Sequence, residues 1–269
     1  MCIRDSRTGL GTTSHLGRSA GARVRLSNGT ICTAKLVIAA DGKDSPMRKA
    51  AGIDVRQTRY GQKALAFAVT HSLPHYNIST EIHRTGGPFT LVPLPEQNGA
   101  HTSAVVWMDD GPKQAARLKI PEAEFDDLIN TRACAVLGQL QLASPRTIWP
   151  IISQRAAQLT ASRLALIAEA AHVSPPIGAQ GLNMSLKDIS VLLENCRESQ
   201  DPGSPNILQA YERARTLDIR MRIGGIDLLN RASQSSAPLL RDARAAVLEM
   251  LYAATPVRRH LMQLGLGIR

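Results

Sequence analysis

The chain has 269 residues, enough for one large or two modest domains, with 43% hydrophobic and 20% charged residues. That balance excludes disorder along the whole chain as well as collagen-like and coiled-coil architectures, and no run approaches the ~18 apolar residues that span a bilayer. Lys+Arg 32 against Asp+Glu 22 gives a net charge of +10, which favours anionic partners such as phosphate-bearing cofactors or an acidic membrane face. Nucleic acid is excluded as a partner, because the arginines are dispersed and three Phe, two Trp and four Tyr offer too few stacking surfaces.

Met1-Cys2-Ile3-Arg4-Asp5-Ser6 lacks the apolar core of a signal peptide and leads into no recognisable element, so it reads as a scar on a chain that begins midway through a gene. Residues 22–40 read as three short strands. Val24 and Leu26 alternate with Arg23 and Arg25, Asn28-Gly29 supplies a tight turn, Ile31-Cys32 begins the return strand, and Leu36–Ala40 is a continuous apolar run. Over residues 61–110 the pattern predicts strands Ala64–His71, Thr80–Arg84, Phe89–Pro93 and Thr102–Met108, punctuated at Gly86-Gly87-Pro88 and Glu96-Gln97-Asn98-Gly99. Phe125, Leu128, Ile129, Ala133, Val136 and Leu137 recur at helical spacing, predicting a helix over Pro121–Leu142.

Leu164–Ala168 is a second apolar strand, followed by a Pro/Gly loop and a helix from about Gly181 to Asn195. After a linker, Asp201-Pro202-Gly203-Ser204-Pro205, a long helix carries Ile207, Tyr211, Ala214, Leu217, Met221 and Leu228 on one face, with Gly224-Gly225 as a point of kinking or close packing. Leu239, Leu240, Ala243, Val247, Met250 and Leu251 mark a last helix before Pro256. Strands of nucleotide-binding type thus flank an antiparallel insertion, and the chain returns to its first sheet near residue 164. No CxxC pair occurs among Cys2, Cys32, Cys134 and Cys196, so neither a disulfide framework nor a zinc site is expected and a reducing compartment fits. His71 and His75 flank Pro74 and read as solvated loop histidines, not metal ligands.

Two segments can carry chemistry. In Leu36–Arg48 a buried strand delivers Asp41 and Gly42 at its C-terminal end, where open α/β sheets bind ligands. Ser45 is placed to cap a helix beginning at Pro46, whose free N–H groups, with Arg48, suit a phosphate. In Leu166–Met184 a second strand ends in Glu169, whose carboxylate can accept hydrogen bonds from sugar or polyol hydroxyls. A loop stiffened by Pro175-Pro176 and opened by Gly178 and Gly181 then leads into a helix N-terminus suited to an electron-rich ligand. His172, at the joint of strand and loop, reads as a packing residue or a backbone hydrogen-bonder, not an acid or base.

These residues resemble the group A flavin-dependent aromatic hydroxylases of the para-hydroxybenzoate hydroxylase type. Asp41-Gly42-x-x-Ser45-x-x-Arg48 looks like their Asp-Gly motif, and Ala168-Glu169-Ala170-Ala171-His172 through Pro176 like their Gly-Asp motif. Pro175-Pro176-Ile177-Gly178-Ala179-Gln180-Gly181-Leu182-Asn183, with Asp227-x-Leu229-Asn230-Arg231 and Pro256-Val257-Arg258-Arg259, is similar to the ubiquinone-biosynthesis hydroxylases. The likeness runs from about residue 20 to the end.

The resemblance implies an α/β fold, α+β by count. An interrupted Rossmann-like FAD-binding domain (residues 1–60 and 156–200) would hold an inserted, mostly antiparallel substrate-binding sheet with a helix (61–155), and C-terminal helices (201–269) would follow. It implies FAD as cofactor and NAD(P)H as co-substrate. Glu169, standing where the family usually has Asp, would bind the ribityl chain, and Ala168 replaces the usual Gly. Gly181, Leu182 and Asn183 would turn backbone N–H groups toward the flavin pyrimidine edge, Pro176 and Ile177 would line the ring, Gly178 would also belong to the cofactor-binding set, and Asp41, Gly42 and Arg48 would lie near the pyrophosphate and the NAD(P)H approach.

The implied substrate is a phenolic or polyprenylated ring, handled in the cytoplasm with peripheral contact on the inner face of the membrane and a possible biosynthetic complex. Arg241, Arg244, Arg258, Arg259 and Arg269 would supply a basic face toward anionic lipid. The resemblance singles out no catalytic residue. The family's opening strand and Gly-x-Gly-x-x-Gly turn have no counterpart here, so the chain is expected to be N-terminally truncated and to hold FAD weakly or not at all by itself. The alternatives are a non-catalytic lipid- or quinone-binding or assembly subunit that kept the fold, and a different FAD enzyme such as a halogenase or geranylgeranyl reductase relative.

Overall fold

A computed structural model describes residues 11–18, 21–84, 86–177, 180–234, 254–256 and 259. The chain divides into two compact units. One comprises Met1–Thr58, Ser153–Ile226 and Arg259–Arg269, the other Arg59–Ile152 and Asp227–Arg258.

In the first unit, strands Thr12–Arg18, Gly21–Leu26 and Ile31–Ala34 form an antiparallel meander. Its second turn forms where Asn28-Gly29 stands: Gly29 has φ +84° and the Asn28 side chain accepts from the Thr30 N–H at 3.0 Å. The strand Thr12–Arg18 escapes a sequence reading because its residues are mostly polar. A second small sheet runs Thr160–Ala161, Leu164–Leu166, Val37–Ala39. Its last two strands pair parallel, Ala165 opposite Ile38 and Leu166 opposite Ala39. Leu164, Ala165 and Leu166 are all fully buried, which is why they form an unbroken apolar run.

Helix Gln180–Cys196 packs Met184, Val191 and Leu192 into the same core, and helix Pro205–Gln234 adds Leu208, Tyr211, Ile219 and Ile226. Tyr211 is fully buried and its hydroxyl donates to the Leu166 carbonyl at 2.7 Å. Burial, with the Asp188 charge behind it, pushes the phenol pKa well above its ordinary value.

The expected linker is a packed joint. A Cβ on Gly203 would fall 1.9 Å from the Lys35 carbonyl oxygen, Lys35 Nζ donates to the Gln200 carbonyl at 2.9 Å, and Arg163 pairs with Asp201. The Gly224-Gly225 pair requires neither a kink nor close packing, since the helix runs through it and a Cβ at either would meet open space.

The second unit is built on a large sheet in the order Thr147–Ala156, Val55–His71, Ala100–Asp110, Gly87–Gln97, Thr80–Arg84, with Leu140–Leu142 also pairing Val55–His71. Register sets Leu65 against Trp107, Leu91 against Val105 and His71 against His101. The hairpin turn falls at Asn98-Gly99, both at positive φ. Phe89 and Trp107 stack edge-on at 5.5 Å, and Phe67 meets Phe125 of helix Glu122–Ala133 at 5.1 Å, closing a core with Ile129 and Leu140.

The helix expected over Pro121–Leu142 stops at Ala133. Cys134 and Ala135 both adopt φ +55°, and Leu140–Leu142 turns back as a strand against Val69–His71. Asn130 fixes this reversal by donating to the Leu140 carbonyl and accepting from the Leu140 N–H, each at 2.8 Å. Leu137 is therefore buried by the return loop and not by a helical face. His71 is also not a solvated loop residue. It ends its strand 6% exposed, its ring 2.8 Å from the Leu73 carbonyl and 3.0 Å from Ser103 Oγ.

No helix among the described residues is long and apolar enough to cross a membrane. The helix expected over Leu239–Leu251, together with Arg241, Arg244, Arg258 and Arg269, lies outside the described residues, as does Gly178.

Candidate functional site

The parallel pairing of Val37–Ala39 with Leu164–Leu166 brings the turns that follow them side by side. The Ile167 N–H donates to the Ala39 carbonyl at 3.0 Å, extending the pairing to the sheet's C-terminal edge. Asp41 and Glu169, far apart in sequence, therefore stand at neighbouring strand ends, where α/β folds place ligands.

Arg48 ties the two turns together. It is 3% exposed, and its guanidinium donates to the Ala170 carbonyl and to the Lys43 carbonyl, both at 2.8 Å. Burial lowers its pKa, and the charges of Asp41 and Asp44 work against that. Gln154 adds a further tie by donating to the Lys43 carbonyl at 2.8 Å. Arg48 is thus a brace between the turns.

Asp41 is also committed to the protein. Its carboxylate accepts from the Ser45 hydroxyl and, at 3.0 Å, from the Met47 N–H, while Ser45 Oγ accepts from the Arg48 N–H at 3.0 Å. Ser45 caps helix Pro46–Ala50 as its sequence predicts. The free N–H groups expected at that helix start are nevertheless absent: Pro46 has none, and those of Met47 and Arg48 are taken by Asp41 and Ser45. Gly42 completes the turn at φ +83°.

Glu169 differs. It lies in the single 3-10 turn Ala168–Ala170, is exposed, and has no hydrogen bond or ion pair to another described residue. Its backbone is held from behind. Asp188, fully buried on helix Gln180–Cys196, accepts from the Ala168 N–H at 2.9 Å, sits 2.7 Å from His172 Nε2, and accepts from Arg215 Nε at 2.7 Å. Arg215, itself 1% exposed, continues to Asp218 and to the Met184 carbonyl. Burial alone would lower its pKa, but the hydrogen bonds and charges of Asp188 and Asp218 outweigh that and raise it. His172 is therefore packed in the interior, as one of its two expected readings has it, and its ring partner is a carboxylate. Sequence inspection passes over Asp188 and Arg215 because each looks like an ordinary helix-surface charge. The detectable signal is the interruption that Asp188 makes in the apolar face of its helix, between Met184 and Val191-Leu192.

Helix Gln180–Cys196 places Gly181, Leu182 and Asn183 in its first turn, at the positive end of the helix dipole. Leu182 is 70% exposed and a Cβ at Gly181 would meet open space. Pro176 is exposed and Ile177 is 5% exposed, on the loop entering that helix. Among the described residues the unit thus offers an unpaired acceptor at Glu169 and the positive end of a helix dipole. Hydroxyls of a polyol chain suit the acceptor, and an electron-rich ring edge suits the helix end, so these residues fit a flavin.

An α/β unit with two turns joined at adjacent strand ends fits a nucleotide-binding class. Residues 7–221 match the family described as FAD binding domain, and the chain belongs to that family. It is 31% identical over 251 residues to ubiquinone hydroxylase UbiL of Rhodospirillum rubrum, covering 92% of this chain and 58% of the relative. It is 25% identical over 249 residues to 3-demethoxyubiquinol 3-hydroxylase of Escherichia coli, covering 91% and 62%. The chain therefore spans about three-fifths of the length of these relatives. Among solved structures it resembles Klebsiella pneumoniae HpxO complexed with FAD and uric acid, with a TM-score of 0.69 at 19% identity over 89% of this chain and 62% of that one. The Diels-Alderase PyrE3 gives 0.71 at 20% identity over 97% and 56%. These two likenesses show the fold.

Proposed function

We propose that this chain forms the flavin-facing part of an FAD-dependent monooxygenase that hydroxylates a phenolic or polyprenyl-phenol ring in ubiquinone biosynthesis, with NAD(P)H and dioxygen as co-substrates. The observation that carries the reading is the bridged pair of strand ends, with Arg48 joining the Asp41 turn to the Glu169 turn and the Glu169 carboxylate without a partner among the described residues. FAD, when bound, supplies the redox and oxygen-activating chemistry. Glu169 accepts from the hydroxyls of the ribityl chain. The N-terminal end of the helix at Gly181, Leu182 and Asn183 stabilises negative charge at the ring edge, and Pro176 and Ile177 pack along the ring. Asp41 and Gly42 shape the pyrophosphate side of the cleft, held by Arg48.

The substrate's prenyl tail calls for peripheral membrane contact. The test joins this chain to the part of the Rhodospirillum rubrum relative that it does not cover and follows NAD(P)H oxidation and hydroxylated product with prenylated phenols. Phenol-dependent product that falls at least tenfold in Glu169→Ala supports the reading. Flavin-bound chimera with no hydroxylated product from any phenol contradicts it.

A further inference from the structure

The first unit contains a charged cluster that the flavin reading does not use. Arg56 from strand Val55–His71, Arg155 from strand Thr147–Ala156 and Arg220 from helix Pro205–Gln234 converge, with Ala157, around a cavity of about 440 Å³. None of the three guanidinium groups makes a hydrogen bond or ion pair with another described residue. The buried arginines among the described residues of this unit are, by contrast, all partnered: Arg48 by two carbonyls, Arg163 by Asp201, Arg215 by Asp188 and Asp218. Burial lowers the pKa of Arg155, and the charges of Arg220 and Arg56 lower it further with no carboxylate offsetting them. Three cations held together without a counter-charge repel one another, and an anion in their midst reverses the sign of that interaction.

The cluster is separate from the flavin-facing turns. Gln154 reaches the Lys43 carbonyl and is hydrogen-bonded by Gln57 at 3.0 Å. Neighbouring strand residues point to opposite faces, so Arg155 and Arg56 leave their strands on the side away from that turn, toward the helix that carries Arg220.

We infer that Arg56, Arg155 and Arg220 form a binding site for a diphosphate ester. Guanidinium groups present planar donor forks that match phosphate oxygens two at a time. Three such forks suit a group with several anionic oxygens on two phosphorus atoms better than a single carboxylate. A diphosphate fits within 440 Å³ and leaves its organic part to extend through the open side. Two kinds of molecule carry the group: a nicotinamide dinucleotide and a prenyl diphosphate.

The test titrates the chain with inorganic pyrophosphate by calorimetry at constant ionic strength, then repeats the titration with NADPH and with geranyl diphosphate present. Expected are saturable pyrophosphate binding, at least tenfold weaker binding in Arg155→Gln, and severalfold weaker binding in Arg56→Gln and Arg220→Gln. Arg56 and Arg220 are exposed, so their variants keep the fold, which circular dichroism verifies. Arg197→Gln, an exposed arginine elsewhere on the unit, leaves affinity unchanged. Displacement by NADPH or by geranyl diphosphate names the source. The inference is overturned if pyrophosphate does not bind, if Arg197→Gln weakens binding as much as Arg155→Gln, or if neither ester competes.

Discussion

Ala168 holds a left-handed backbone at φ +53°, a conformation that costs an ordinary L-residue ~1–2 kcal/mol and glycine almost nothing. The resemblance places glycine here, and the geometry supplies the reason: the chain must turn sharply to present Glu169. Ala168→Gly should raise stability by about 1 kcal/mol after the entropy glycine adds to the unfolded chain, read as a higher urea midpoint with an unchanged slope. Gly203 is the converse. A methyl group there would collide with the Lys35 carbonyl, so Gly203→Ala should cost about 2 kcal/mol by the same measurement. Neither effect follows from residue identity alone. An Ala within an apolar run and a Gly within a Pro/Gly linker look ordinary until their φ angle and their neighbour are known.

Helix Gln180–Cys196 and the Glu169 turn act together because Asp188 serves both. Its two oxygens satisfy a backbone N–H, an imidazole and a guanidinium in a dry interior. Asp188→Asn leaves Arg215 with less compensation and should cost about 3 kcal/mol, with loss of protection of the Ala168 N–H in hydrogen exchange as the specific readout.

In the large sheet, burial holds the pKa of His71 below its ordinary 6.5, and His75 and His101, with rings 5.7 and 6.0 Å away, push it the same way, against opposing hydrogen bonds to backbone carbonyls. Glu96 faces the cluster through His101 at 2.9 Å. The unfolded chain takes up a proton near pH 6.5 that folded His71 refuses. Its contribution to stability is therefore complete above pH 6.5 and is lost as pH falls through the folded value. Melting temperature should drop between pH 7 and 5.5, and His71→Gln should flatten that slope.

The strands and helices with strong periodicity are legible in the sequence, among them Thr80–Arg84 and the hairpin at Asn98-Gly99. Where a helix yields to a left-handed cap, as at Cys134, the apolar spacing runs on regardless and misleads. Strand Thr147–Ala156 is hidden by Pro150 and by its mixed polarity.

At the scale of the whole molecule, the motif segments are legible because strand, turn and helix keep their order around Asp41 and Glu169. The arginine cluster is not, since positions 56, 155 and 220 meet only through the fold. Helix Gln180–Cys196 also shows an exposed apolar row of Leu182, Leu186, Ile189 and Leu193. Such a patch should enhance the fluorescence of an apolar dye, and Leu186→Glu with Leu193→Glu should abolish most of that signal without lowering the melting temperature.

The proposed flavin site rests on Glu169 as its acceptor, and FAD affinity of the chain, followed by flavin fluorescence, tests it most directly. The account predicts saturable binding too weak to survive gel filtration. Glu169→Ala should weaken it about tenfold, in line with loss of a hydrogen bond to a charged group, while Glu194→Ala, an exposed acid elsewhere on the unit, should leave it unchanged. Equal affinity in Glu169→Ala and the unaltered chain, or flavin retained at one per chain through gel filtration, would contradict it.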